Sequence, residues 1–191
     1  MYTNIIEFLA FVLFIGSLWH AMRYQGRAWA QQWFVTAAMF AVIRETIVQV
    51  VLQTYIFEAR ILRLGIVPIV MILLYPSVLY LAFHFAQRLA VRPAWIAGIM
   101  FAVAASFGLA IEATAALTEW WVYTGAPRVM FGGVPLGVPF SWGGAAAIFY
   151  AIFYRIRGAR LPDQGKLYAL VTLSPAIAAV HLLWGLILGM L

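Results

Sequence analysis

Six times between residues 3 and 190 the chain stays apolar long enough to cross a lipid bilayer, and nothing else limits its fold as much. The runs lie at about 3–20, 30–54, 65–88, 94–117, 135–155 and 167–190. Each is near the roughly 20 residues a helix needs to cover the hydrocarbon core. Lipid offers no partner to a bare N–H or C=O, so a single apolar run satisfies its own backbone only as a helix. The expected fold is therefore all-α: a polytopic membrane bundle of about six transmembrane helices, forming one domain over residues 1–191. Composition agrees, with 66% of residues hydrophobic and 9% charged, where a soluble domain is about half apolar and a quarter charged. The opening MYTNIIEFLAFVLF has no basic leader and no small-residue cleavage site, so it reads as the first span. Absence of cysteine excludes disulfides, thiolate chemistry and cysteine-bound metal.

The connectors RYQGR, FEARILRLG, RLAVRP, EWWVYTGAPRVMFGG and RIRGARLPDQGK carry the turn and charge signals. Those joining spans 1–2, 3–4 and 5–6 hold eight basic residues: Arg23, Arg27, Arg88, Arg92, Arg155, Arg157, Arg160 and Lys166. The other side holds three, Arg60, Arg63 and Arg128. The positive-inside rule then puts both termini outside a prokaryotic cytoplasmic membrane, with Glu45 and Glu112 in its outer half. Topology explains the net charge of +6 better than nucleic acid does, and no nucleic-acid partner is expected.

A shift of 67 residues superimposes Glu45 on Glu112, Gly65 on Gly132, Val67 on Val134, Pro68 on Pro135, Tyr75 on Trp142 and Arg88 on Arg155. Glutamate, glycine, proline and arginine are rare enough in so apolar a chain for their matches to count, and they define an internal repeat of spans 2–3 and 4–5. Two crossings separate the copies, so they run the same way through the membrane: a parallel repeat.

Two of the repeated residues are intramembrane carboxyls. A charge there is costly, so it faces the bundle interior and has a partner or a task. Glu45 shares a stripe with Gln49 and Gln53 at a spacing of four. Glu112 has Gly108 four residues before and Ala116 four after, small enough for another helix to approach. Arg44 and Glu45 are adjacent and project about 100° apart, so each is expected to pair with a neighbouring span rather than with the other. Arg44 and Arg128 are the candidate structural counter-charges. A carboxyl in an apolar pocket can act as a general acid and protonate a carbon–carbon double bond, provided aromatic faces stabilise the cation. Trp120, Trp121, Tyr123, Tyr55, Tyr75 and Trp142, with Gln49, are the candidate substrate-binding residues, although interfacial aromatic belts draw on the same residue types. No cofactor is needed for such chemistry. His20, His84 and His181 show no i, i+3 or i+4 spacing, so no metal site is expected. The stretch FGGVPLGVP lacks the G-K-[ST] ending of a phosphate loop and is expected to shape a re-entrant turn.

Over residues 17–157 the chain resembles the integral-membrane carotenoid-biosynthesis family that includes bisanhydrobacterioruberin and carotenoid 1,2-hydratases. The likeness rests on SLWHAMRYQGRAWAQQWF, RETIV, YIF, LGIVPI, YPSVLYLAF, IEATAALTEWWVY and FGGVPLGVPFSW. By this resemblance Glu45, Glu112, Trp121, Tyr123, Gly133, Val134 and Pro135 occupy the family's acidic, aromatic-pair and G-V-P positions. The family's T-G-x-P-F-G stretch is replaced by VVLQTYIFEAR, and its aspartate–proline by Glu112–Ala113.

The leading expectation is an enzyme of carotenoid or isoprenoid metabolism, a hydratase (a lyase) or a cyclase, in which Glu112 assisted by Glu45 protonates a polyene end group. The alternatives are a pigment- or lipid-binding subunit of a homo-oligomer or larger membrane complex, and a small cation- or proton-coupled transporter.

Overall fold

The computed structural model describes residues 2–57, 61–124, 130–131 and 134–188. Six helices dominate it: α1 (Tyr2–Tyr24), α2 (Arg27–Thr46), α3 (Ile69–Leu89), α4 (Ile96–Leu117), α5 (Gly137–Arg157) and α6 (Asp163–Ile187). All six are long and apolar enough to span a bilayer. Phe8, Phe11, Val12, Ile15 and Trp19 of α1 are turned outward and exposed, a surface that suits lipid rather than water. The chain is an integral membrane protein with a helical bundle, as its hydropathy requires. On the basic side of the bundle, Trp29 and Trp33 stack 4.7 Å apart and pack against Phe83 and Phe153.

Among the described residues, six short strands interrupt the helices: β1 (Tyr55–Phe57), β2 (Arg63–Leu64), β3 (Val67–Pro68), β4 (Trp121–Tyr123), β5 (Met130–Phe131) and β6 (Val134–Pro135). Each repeat unit is helix, three strands, helix. β2 pairs with β3 and β5 with β6 as small hairpins, in the same register with respect to the 67-residue shift. Spans 3 and 5 therefore begin later than hydropathy alone predicts, at Ile69 and Gly137 rather than at 65 and 135. The residue before a proline is driven out of the helical region, so Val67 and Val134 are extended and the helix starts only after Pro68 or Pro135.

The two copies meet through β1 and β4, which pair antiparallel with Tyr55 opposite Tyr123, Ile56 opposite Val122 and Phe57 opposite Trp121. Equivalent segments pairing antiparallel around a central pair is the signature of a two-fold axis. Because the copies run in the same direction, that axis lies along the membrane normal. Tyr75 and Trp142, matched by the repeat, stack on each other at 4.5 Å and 18°. Across the β1–β4 pair the shift is 66 residues, not 67, and the structure shows where the odd residue goes. α2 continues as a π-helix over Ile47–Leu52, whose wider turn absorbs one extra residue. Gln53 and Glu119, also 66 apart, then leave their helices with positive φ of 48° and 52°. On α4 the Trp120 N–H bonds back to Ala115 O at 3.0 Å, the closing bond of a Schellman turn.

Candidate functional site

Glu45 and Glu112, one from each copy, lie buried on the two sides of this axis at 0% and 5% exposure. Their surroundings differ. The Oε1 atom of Glu45 accepts from Arg44 Nη1, and its Oε2 accepts from the Tyr55 hydroxyl at 2.7 Å and from Gln49 Nε2 at 3.3 Å. Arg44 also donates to the Tyr55 hydroxyl, and its guanidinium carbon sits 5.7 Å from the ring centres of both Tyr55 and Tyr75. Neighbouring residues thus form an ion pair that helix geometry argued against. The arginine side chain is long enough to fold back over the Tyr55 and Tyr75 rings. In a buried, low-dielectric site, charge pairing outweighs the rotamer it costs. The polar stripe ends at Gln49. Gln53 is turned away by its left-handed backbone, and its carbonyl accepts from the Thr124 hydroxyl.

Glu112 has no cation within ion-pair distance among the described residues. Three neutral donors hold it instead. Trp121 Nε1 at 3.0 Å and the Tyr123 hydroxyl at 2.7 Å reach Oε2, and Trp142 Nε1 at 3.0 Å reaches Oε1. Under the two-fold, Trp121 corresponds to Tyr55, and each donates to the glutamate of its own copy. Trp142 corresponds to Tyr75, which makes no such bond, and Arg44 of the first copy takes its place. Burial pushes the pKa of the Tyr55 and Tyr123 hydroxyls up, and the neighbouring carboxylates add to the shift, so both phenols stay protonated and able to donate. The two half-sites touch through Tyr55 and Tyr123, whose rings are 5.8 Å apart, and through the Tyr75–Trp142 stack. Both carboxyls belong to one cluster.

Sequence placed most of these groups. Tyr55, Tyr75, Trp121, Tyr123, Trp142, Gln49, Arg44 and both glutamates converge here. Trp120 does not reach a carboxyl; it is buried and stacks on Trp121 at 5.1 Å. Arg128, Gly132 and Gly133 lie outside the described residues. Val134 and Pro135 are buried in β6. His20 and His84 do meet at one end of the bundle, with rings 4.6 Å apart, and His20 Nδ1 lies 2.6 Å from the Tyr80 hydroxyl. Among the described residues there is no group of three or more possible metal ligands. Ser141 was not singled out by the sequence, and its buried contact with His181 was not foreseen because nothing in the spacing links the two; the polarity of Ser141 within an apolar run was the available signal.

Close approach of α4 and α5 depends on Gly108. A Cβ there would overlap the Cβ, Cγ and Cδ1 atoms of Trp142, the residue whose N–H holds Glu112. Overpacking of this kind costs about 1–3 kcal/mol. Gly108→Ala is expected to lower the denaturation midpoint in detergent and to alter Trp142 fluorescence, while Gly98→Ala, which meets nothing within 4 Å, changes neither.

Comparison of the chain with protein-family models, curated proteins and solved structures found no match.

Chemically, Glu112 is suited to exchange a proton. As a carboxylate it accepts three bonds. With a proton on Oε2 it can turn one of them around and donate to the Tyr123 oxygen, since a hydroxyl accepts as well as donates. The indole N–H groups of Trp121 and Trp142 can only donate, which keeps the carboxyl fixed in orientation. Glu45 is tied instead to a guanidinium, a phenol and an amide.

Proposed function

We propose that the protein is a membrane-embedded enzyme that protonates the end group of an acyclic carotenoid or related polyisoprenoid. One observation carries this reading: Glu112 is a buried carboxyl with no ion-pair partner among the described residues, held by three neutral donors and walled by indole and phenol rings. In the proposed step the Glu112 O–H bond breaks and its proton goes to the terminal alkene, whose π electrons form the new C–H bond. The tertiary cation left behind lies against aromatic faces, which attract positive charge. Water then adds and returns a proton to the Glu112 carboxylate, giving a tertiary alcohol. Capture by a second alkene and loss of a ring proton to the same carboxylate gives a cyclised end group. Neither route needs a cofactor. Glu45 and Arg44 supply an oriented dipole beside the site. The resemblance to carotenoid hydratases over residues 17–157 supports the same substrate class, and the basic loops support a prokaryotic cytoplasmic membrane with both termini outside.

Purified protein incubated with an acyclic carotenoid in lipid is expected to yield a product heavier by one water, or an isomer of equal mass. Unchanged substrate under all lipid conditions would contradict the proposal.

A second reading has its own observation. A groove of about 440 Å³ between α1 and α2 is lined by Phe14, Leu18, Phe34 and Val35, with Arg27 and Gln31 also on its wall. It suits a subunit that binds pigment or lipid without changing it. Stoichiometric, chemically unaltered pigment in the purified protein would favour that reading.

A further inference from the structure

The proposed acid step makes no use of the buried histidine of α6. His181 is 2% exposed and packs at the junction of α2, α5 and α6. Its Nε2 lies 3.1 Å from the backbone oxygen of Ser141 and 2.9 Å from the Ser141 hydroxyl. A carbonyl oxygen can only accept, so the tautomer that uses the Ser141 carbonyl contact carries the ring proton on Nε2, with the Ser141 hydroxyl oxygen as a second acceptor. A neutral imidazole has one such proton, which leaves Nδ1 as a bare lone pair. That atom is buried and has no hydrogen-bond partner. Leaving a buried acceptor unpaired costs about 1–3 kcal/mol, and α6 offers no compensation: Trp184, three residues on, already bonds the neighbouring Phe140 carbonyl at 3.1 Å. Those two contacts anchor α6 on the start of α5 and fix the ring.

The place matters as much as the atom. Phe40 meets the His181 ring edge-to-face at 5.6 Å and meets Tyr75 at 5.4 Å, and Tyr75 stacks on Trp142. His181 is therefore one aromatic ring removed from the carboxyl cluster.

We infer that His181 Nδ1 is the acceptor of a hydroxyl-binding site, occupied by the O–H of an ordered water or of an alcohol ligand such as a hydroxylated polyisoprenoid. A cation would be repelled by nearby Arg44, and an anion has no proton to give; an O–H donor meets both conditions. This inference holds whether or not Glu112 acts as an acid.

The test is the solid-state nitrogen spectrum of the full chain in lipid, labelled with ¹⁵N-histidine. His181 is assigned by its disappearance in His181→Phe. Three samples are compared: protein alone, with the hydrocarbon squalene, and with the alcohol geranylgeraniol. The expected result is a protonated Nε2 and an unprotonated Nδ1 shifted upfield, as hydrogen-bonded acceptors are. An upfield Nδ1 in all three samples, with magnetisation transfer from water, identifies water as the donor. A shift that occurs only with geranylgeraniol identifies a ligand alcohol. Protonation at Nδ1, or an Nδ1 resonance at the position of a free acceptor in every sample, would overturn the inference. Turnover is not read, so failure here is separable from failure of the acid step.

Discussion

Glu112→Gln is expected to lower turnover of an acyclic polyene at least about a hundredfold, the usual effect of removing a general acid. The amide has no acidic proton to give. It also sets an N–H₂ against an indole N–H or the Tyr123 hydroxyl, because the three groups around Glu112 all donate to it. One buried donor is then left unmatched, at about 1–3 kcal/mol. Activity must therefore be referred to folded protein, measured by helical circular dichroism and by the denaturation midpoint. Tyr123→Phe separates the two effects. It removes one donor from Oε2 but leaves the acid in place, so its turnover should fall by much less. Equal activity losses in Glu112→Gln and Tyr123→Phe would argue that the cluster matters only for packing.

The second large effect is expected at Arg44. Arg44→Met would leave the Glu45 carboxylate buried with only Tyr55 and Gln49 as donors. Breaking one half of a buried pair costs about 3–5 kcal/mol, while replacing both halves is often close to neutral. Arg44→Met is thus expected to lower the midpoint of denaturation in detergent sharply, and Arg44→Met with Glu45→Gln to recover most of the loss. Additive effects of the two substitutions would mean that the pair seen beside Tyr55 does not form.

Much of this was legible in the chain itself, for identifiable reasons. Bilayer thickness sets helix length, so six spans follow from hydropathy. Glutamate and proline are infrequent in such a chain, so the 67-residue repeat stands out, and it places Tyr75 and Trp142 as counterparts. The repeat could not show that these counterparts touch, because an axis of symmetry relates positions without giving distances. Nor could hydropathy reveal β1 and β4, three-residue strands in connectors whose pairing depends on both copies being present. The Arg44–Glu45 pair was misread because helix geometry fixes where a Cβ points and not where a guanidinium ends. His181 stayed obscure because its partner is a backbone oxygen, which has no sequence signature.

The two half-sites are asymmetric in what holds each carboxyl. Glu45 is paired with Arg44, while Glu112 is held by three neutral donors.

The acid step is tested most directly by running the reaction in D₂O with an acyclic carotenoid and examining the product by mass spectrometry and carbon NMR. Protonation by Glu112 predicts one carbon-bound deuterium at each altered end group, in alcohol and cyclised product alike, once the carboxyl has equilibrated with D₂O. That deuterium should vanish along with the product in Glu112→Gln. A product without carbon-bound deuterium, or one formed undiminished by Glu112→Gln, would contradict it.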